Sequence, residues 1–139
     1  MAPIICARMH RAGVCLVAVL GLWLVAATAV GATGNQIKVA VSSDPTVGAT
    51  YNVTLHGASH GSATAWLFIE YTRCANSFAG ERQRAPDKSF VHYRVNGSFT
   101  RVSGWASNSA VLDHACAYLV AKGSGKTLAR ARVSFRIRH

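Results

Sequence analysis

Residues 127–138 read TLARARVSFRIR, and their polar and apolar side chains alternate with a period of two. Successive side chains of a β-strand point to opposite faces, so the pattern indicates a strand with one buried and one solvent-exposed face. The apolar members have odd numbers: Ala131, Val133, Phe135 and Ile137. The even positions are mostly arginine: Arg130, Arg132, Arg136 and Arg138. We predict that the odd set faces a core and that the arginines face solvent.

The same parity appears in residues 65–73 and 114–121. Up to Tyr71 in the first segment and throughout the second, the odd-numbered side chains are apolar, whereas aromatic residues occupy even positions: Trp66, Phe68 and Tyr118. If the last two strands form a hairpin at Gly123-Ser124-Gly125, Tyr118 lies opposite Arg130 and Cys116 opposite Arg132. We therefore expect these aromatics and arginines to share one outer recognition face, with an arginine over the Tyr118 ring. In the alternative, residues 75–88 fold over the aromatics.

Seven short alternating segments, separated by turn-forming residues, are typical of an all-β domain. The predicted strands are 36–41, 50–56, 65–73, 89–95, 98–106, 114–121 and 127–138. Asn96-Gly97 predicts a type I′ hairpin turn between the fourth and fifth, because both residues tolerate positive φ. The spacing favours a seven-stranded immunoglobulin-like β-sandwich over residues 33–139.

Residues 1–32 are typical of an export signal. Arg8 and Arg11 precede an uncharged run over residues 12–32, which ends in small residues that fit a cleavage site. Because this run of 21 residues is also long enough to span a bilayer, an uncleaved signal-anchor is the alternative to a cleaved signal peptide. Either form leaves residues 33–139 secreted or extracytoplasmic, in the second case anchored to the membrane.

The exported part is strongly basic. Thirteen of the 15 Lys and Arg and all five acidic residues follow Ala32, so its net charge is +8. A basic domain outside a cell is suited to an anionic cell-envelope polymer, to lipid head groups or to an acidic protein. We do not expect nucleic acid as its partner.

Two cysteines, Cys74 and Cys116, remain after the leader. In an oxidising compartment such a pair usually forms a disulfide. The third and sixth predicted strands are antiparallel neighbours in an immunoglobulin-like sandwich, which places both residues within bridging reach. The alternative is two unrelated small core residues.

No segment carries a complete catalytic, metal or nucleotide motif. Residues 123–127 resemble the end of a phosphate-binding loop, but Val120 stands where that motif needs glycine and a strand follows instead of a helix. His56 and His60 are too few ligands for a closed metal site. Adjacent Asp113 and His114 point to opposite faces of a strand. Glu81 and Asp87 belong to a loop of mixed charge, where solvation is expected. We predict no enzyme, no cofactor and no metal.

Asp113-His114-Ala115-Cys116-Ala117-Tyr118-Leu119, together with Cys74 and Gly97-Ser98-Phe99, resembles a group of small, uncharacterised exported actinobacterial proteins. Their domains are immunoglobulin-like or fibronectin-like and often contain a Cys-Ala-Tyr-Leu strand. The resemblance covers residue 37 to the end, implies export and this fold, and supplies no active site.

The leading functional hypothesis is an exported, non-catalytic binding or adhesion domain. Its predicted contact surface consists of Trp66, Phe68, Tyr118, Arg130, Arg132, Arg136 and Arg138. The second hypothesis is a structural envelope accessory protein without a discrete ligand, which burial of the aromatics under residues 75–88 would favour. The remote alternative is an enzyme whose pocket gathers His92, His114 or Glu70.

Overall fold

The computed structural model describes residues 34–42, 44–85 and 89–139, which belong to one compact unit, Ala32–His139. The predicted leader lies outside the described residues. Five strands and one short helix follow in the order β1 (Gln36–Val41), β2 (Thr50–Glu70), α1 (Phe78–Arg84), β3 (Phe90–Ala106), β4 (Leu112–Ala121) and β5 (Thr127–Arg136). Within the described ranges, no helix is long and apolar enough to cross a membrane.

All five strands form one curled antiparallel sheet, which confirms the all-β prediction. The first part of β2 pairs with β1 on one side and with the second part of β3 on the other. The second part of β2 pairs with the first part of β3 and with β4, which in turn pairs with β5. β1 also lies close to β5, because the sheet curls around its core.

The sheet has five strands where the sequence predicted seven, and the predicted hairpin at Asn96-Gly97 is wrong. Both residues lie inside β3 and pair with Ser62 and Ser59 of β2. The register shifts between Ser59 and Ser62, which is a β-bulge. Gly97 has a φ of 71° but Asn96 does not have a positive φ, whereas a type I′ turn needs positive φ at both positions. The dipeptide therefore accommodates a bend in two long paired strands.

The prediction that the odd-numbered residues face the core is confirmed. Odd-numbered residues of β2, β4 and β5 pack into the main core, among them Leu67, Ala117 and Leu119, which are fully buried. The turn at residues 122–125 has positive φ at Gly123 and Gly125, and places Tyr118 opposite Arg130 and Cys116 opposite Arg132. The hairpin register predicted for the last two strands is therefore correct.

Candidate functional site

The even-numbered face of β2 and β4 carries a second hydrophobic core, formed by Phe68, Cys116, Tyr118 and Val120. Cys74 forms the predicted disulfide with Cys116. Residues 74–85 cross this face, and α1 contributes Phe78 to the packing. The bridge therefore joins the segment that covers the second core to the strand beneath it.

Helix α1 is short, and contacts at both ends hold it in place. At its N-terminus the Ser77 hydroxyl accepts a hydrogen bond from the Gly80 N–H, which is a normal N-cap. The Phe78 N–H donates to Thr127 Oγ1 of β5 at 3.0 Å. A helix of this length is not stable alone in water, so these tertiary contacts and its buried side chains sustain it.

Glu81 of α1 is fully buried and lies at the centre of a polar network. One carboxylate oxygen accepts hydrogen bonds from the Ala75 N–H at 2.6 Å and the Tyr118 hydroxyl at 2.5 Å. The other accepts from Arg84, which forms the only ion pair among the described residues. Burial, with the hydrogen bond to Glu81, raises the pKa of Tyr118. The prediction that Glu81 is a solvated loop residue is wrong.

Trp66 is half-buried in a group of rings at the edge of the second core. Its ring centroid lies 4.9 Å from that of Phe78 and 4.6 Å from that of His92. The Arg82 guanidinium lies 5.5 Å from the Trp66 centroid and 4.5 Å from the Phe90 centroid, within the range of cation–π attraction. Arg82 therefore supplies the ring contact that had been expected from the arginines of β5.

The expectation that the even-numbered aromatics form an exposed recognition face is wrong. Phe68 is 0% and Tyr118 is 1% exposed, because residues 74–85 cover them. Arg130 does not lie on the Tyr118 ring as predicted; it donates to the backbone oxygen and the side-chain oxygen of Asn76. The alternative, in which this segment folds over the aromatics, is the one observed.

The four arginines of the predicted surface are all exposed; we call them the arginine file: Arg130, Arg132, Arg136 and Arg138. Within the part of the chain that the structure describes, the guanidinium groups of Arg132, Arg136 and Arg138 have no hydrogen-bond or ion-pair partner. Arg130 and Arg132 border a cavity of about 280 Å³, which we call the disulfide cleft, lined also by Cys74, Ala75, Tyr118 and Ala131. Two positively charged side chains therefore line this cleft.

The remaining polar candidates make separate contacts. His114 Nδ1 lies 2.8 Å from Ser134 Oγ, and Glu70 is the cross-strand partner of His114. Glu70, however, accepts its hydrogen bond from Ser89, at 3.4 Å. Ser134, His114 and Glu70 therefore do not form a chain of hydrogen bonds that could relay a proton. Burial, with the nearby negative charge of Glu81, raises the pKa of Glu70.

The two loop histidines considered as metal ligands lie within β2. His56 Nδ1 is 3.0 Å from Thr100 Oγ1, while the His60 backbone N–H donates to Asn35. Among the described residues, no three His, Cys, Asp or Glu side chains are grouped so as to hold a metal ion.

Asp113 is a buried acid on the odd-numbered face. It is 3% exposed, and its Oδ1 has no hydrogen-bond partner in the described part of the chain. Burial raises the pKa of Asp113, and the charge of neighbouring His114 offsets part of this rise. Sequence reasoning missed this residue as a site candidate, because an Asp at the start of a strand usually faces water.

We expect the free energy of unfolding of Asp113→Asn to rise, relative to that of the wild type, as the pH rises. The folded state holds the Asp113 proton more tightly than the unfolded chain does, so the stability of the wild type falls as the pH rises above about 4. Denaturant unfolding measures this change: from pH 4 to pH 7, the free energy of unfolding of the variant should rise by about 1 kcal/mol relative to that of the wild type. The exposed Asp44→Asn serves as the control, and a pH-independent difference for Asp113→Asn would contradict the assignment.

No protein-family model matches the chain, and no curated protein shows significant similarity to it. The candidate site therefore rests on its own geometry.

Proposed function

We propose that this protein is an exported, non-catalytic binding domain that contacts an anionic polymer of the cell envelope through its arginine file. The observation that carries the proposal is the row of arginines on β5 and just after its end, of which Arg132, Arg136 and Arg138 lack a partner among the described residues. Because neighbouring same-face positions of a strand lie about 7 Å apart, successive arginines can meet successive negative groups of an extended polymer.

The disulfide cleft supports a specific anchoring point within this surface. Arg130 and Arg132 both line it, and the Asn76 bonds fix the position of Arg130. A phosphate or carboxylate entering the cleft would meet two guanidinium groups, which bind such oxyanions through paired hydrogen bonds. Arginine rather than an aromatic platform is thus the proposed basis of recognition.

The pairing order supports an immunoglobulin-like or fibronectin-like relationship, which we include in the proposal. The halves of β2 correspond to the second and third predicted strands, and the halves of β3 to the fourth and fifth. In this interpretation the two layers of the sandwich remain joined through two continuous bent strands. Export is supported by the Cys74–Cys116 disulfide, since such bonds persist in oxidising compartments.

We expect the triple variant Arg132→Gln, Arg136→Gln and Arg138→Gln to bind a glycerol-phosphate polymer at least about tenfold more weakly than the wild type at low salt. The slope of log affinity against log salt should fall by about 2, because fewer counterions are released. Arg130 is retained, since it also holds Asn76.

The control variant Lys38→Gln, Arg94→Gln and Arg101→Gln removes the same charge from exposed positions on other strands. Equal losses in both variants would mean that net charge alone drives binding, and would refute the arginine file. Stronger binding to anionic vesicles or to an acidic protein than to the polymer would reassign the partner.

A structural accessory role is the second candidate. The burial of Phe68 and Tyr118 beneath residues 74–85 favours it, because the chain uses these aromatics for its own stability. An edge strand rich in arginine also prevents sheet-to-sheet aggregation. Aggregation of the triple variant, with no polymer binding by the wild type at low salt, would support this role instead.

A further inference from the structure

A cavity of about 350 Å³ opens at one end of the curled sheet, away from the second core. The bend in β2 brings Tyr51, near the start of that strand, and Ile69, near its end, into the same wall. Trp105 from the end of β3 and Asp113 from the start of β4 complete the cavity, which we call the Asp113 cavity. Together with Tyr71, these residues give the cavity three aromatic side chains and one acid.

Among the residues that the structure describes, Asp113 is the only charged one that lines this cavity. Its side chain is almost completely buried, and Oδ1 has no hydrogen-bond partner in the described part of the chain. An unpaired buried carboxylate is costly, and native proteins rarely retain one without a water, an ion or a ligand beside it. The negative charge of Asp113 also acts on Tyr51 in the cavity wall. Burial of Tyr51, together with this charge, raises the pKa of Tyr51 to about 12.

Two other groups of the cavity wall are hydrogen-bonded within the protein. The Trp105 indole N–H donates to Ser103 Oγ at 2.9 Å, so the ring rather than the N–H is available to a ligand. Ser107 and Ser109 bond to each other through two hydrogen bonds. Tyr71, in contrast, is 73% exposed. The cavity therefore combines a buried carboxylate with aromatic rings.

We infer that the Asp113 cavity binds an alkylammonium group. The Asp113 carboxylate supplies the counter-charge, and the rings of Tyr71 and Trp105 attract a cation. Tyr51, which packs against Phe135, forms the wall behind them. Because no Lys or Arg of the described ranges lines the cavity and solvent screens charges beyond about 8 Å, the basic character of the described surface does not prevent binding. This site is independent of the arginine file and takes the opposite charge.

The test is an NMR titration of the ¹⁵N-labelled protein, purified after export with its disulfide formed. Choline probes for a small quaternary amine, and n-butylammonium probes for the end of a lysine side chain. We expect one or both to shift the Trp105 indole signal and the amides of Tyr51 and Asp113 saturably, with a Kd of about 1 mM or tighter. The stronger of the two identifies the source of the ammonium group. The neutral isostere of choline, 3,3-dimethylbutan-1-ol, should not bind.

Asp113→Asn should weaken binding at least tenfold, while Asp44→Asn, which removes the same charge from an exposed turn, should leave it unchanged. Tyr71→Ala tests the cavity without disturbing the core and should weaken binding severalfold. Equal binding of the neutral alcohol, equal effects of the two aspartate variants, unchanged binding in Tyr71→Ala, or no saturable shift with either cation would overturn the inference.

Discussion

Replacement of Cys74 and Cys116 by serine is expected to lower the free energy of unfolding by about 4 kcal/mol, which is the chain-entropy estimate for a loop of this size. The bridge joins residues 42 positions apart, so its loss frees a long loop in the unfolded chain. Its loss also releases the segment that covers the second core, because Cys116 is fully buried beneath that segment. Urea unfolding of the variant and the wild type measures the difference.

The control for this prediction is the wild type under reducing conditions, which should unfold at the same urea concentration as the double variant. A loss smaller than about 1 kcal/mol would mean that the second core holds its cover without the bridge, in conflict with this account.

Glu81→Ala is expected to lower the free energy of unfolding by about 2 kcal/mol, since a buried donor left without an acceptor costs about 1–3 kcal/mol. The substitution leaves the Ala75 N–H without its acceptor, whereas the Tyr118 hydroxyl loses its bond to Glu81 but can still donate to the Ala75 carbonyl oxygen at 2.7 Å. It also removes the partner of Arg84, but that side chain is 45% exposed and water solvates it. The loss should be accompanied by faster amide exchange over residues 75–85.

Two further variants test whether this loss of stability arises from the hydrogen bonds around Glu81. Gln83→Ala, on the exposed side of α1, should change stability by less than about 0.5 kcal/mol. Tyr118→Phe removes one of the hydrogen bonds, and combining it with Glu81→Ala should cost less than the two single losses added together. Strict additivity would show that the two side chains are not coupled.

The local features of the fold were predictable from the sequence, because they depend on a pattern with a period of two. The alternation in residues 127–138 gave the facing of β5, and with the glycine turn it gave the register that sets Cys116 opposite Arg132. The disulfide was also predicted correctly, but its geometry was not: Cys116 pairs with Phe68 of β2, whereas Cys74 lies beyond the end of β2, in the segment that covers the second core. The facing and the register both depend on residues close in sequence or directly paired, and there the sequence pattern corresponds most closely to the structure.

The errors have a common physical cause in non-local contacts. Asn96-Gly97 is compatible with both a hairpin turn and a bend, and pairing with Ser59 and Ser62 of β2 decided between them. The helix in the segment that covers the second core could not be predicted from the sequence either, because a seven-residue helix has little intrinsic stability. One signal was present: Phe78, Glu81 and Arg82 have the spacing of one helical face, and all three contact the second core or its ring cluster.

The Asp113 cavity was beyond sequence reasoning for a related reason. Tyr51 and Ile69 lie at opposite ends of β2, and only the bend at the bulge brings them together. Within residues 114–121 the aromatic and cysteine positions attracted attention, whereas the preceding acid resembled a solvated strand end. Asp113 and Glu81 are both buried, and the buried oxygen without a hydrogen-bond partner distinguishes Asp113 from Glu81, whose two carboxylate oxygens both accept hydrogen bonds.

The proposed arginine file is tested most directly by the side-chain Nε–H signals of its arginines during titration with a glycerol-phosphate polymer at low salt. The account predicts saturable shifts at Arg132, Arg136 and Arg138 that disappear when salt is added, with Arg94 and Arg101 unaffected. Shifts centred on Arg94 and Arg101, or no shift at any arginine, would contradict it.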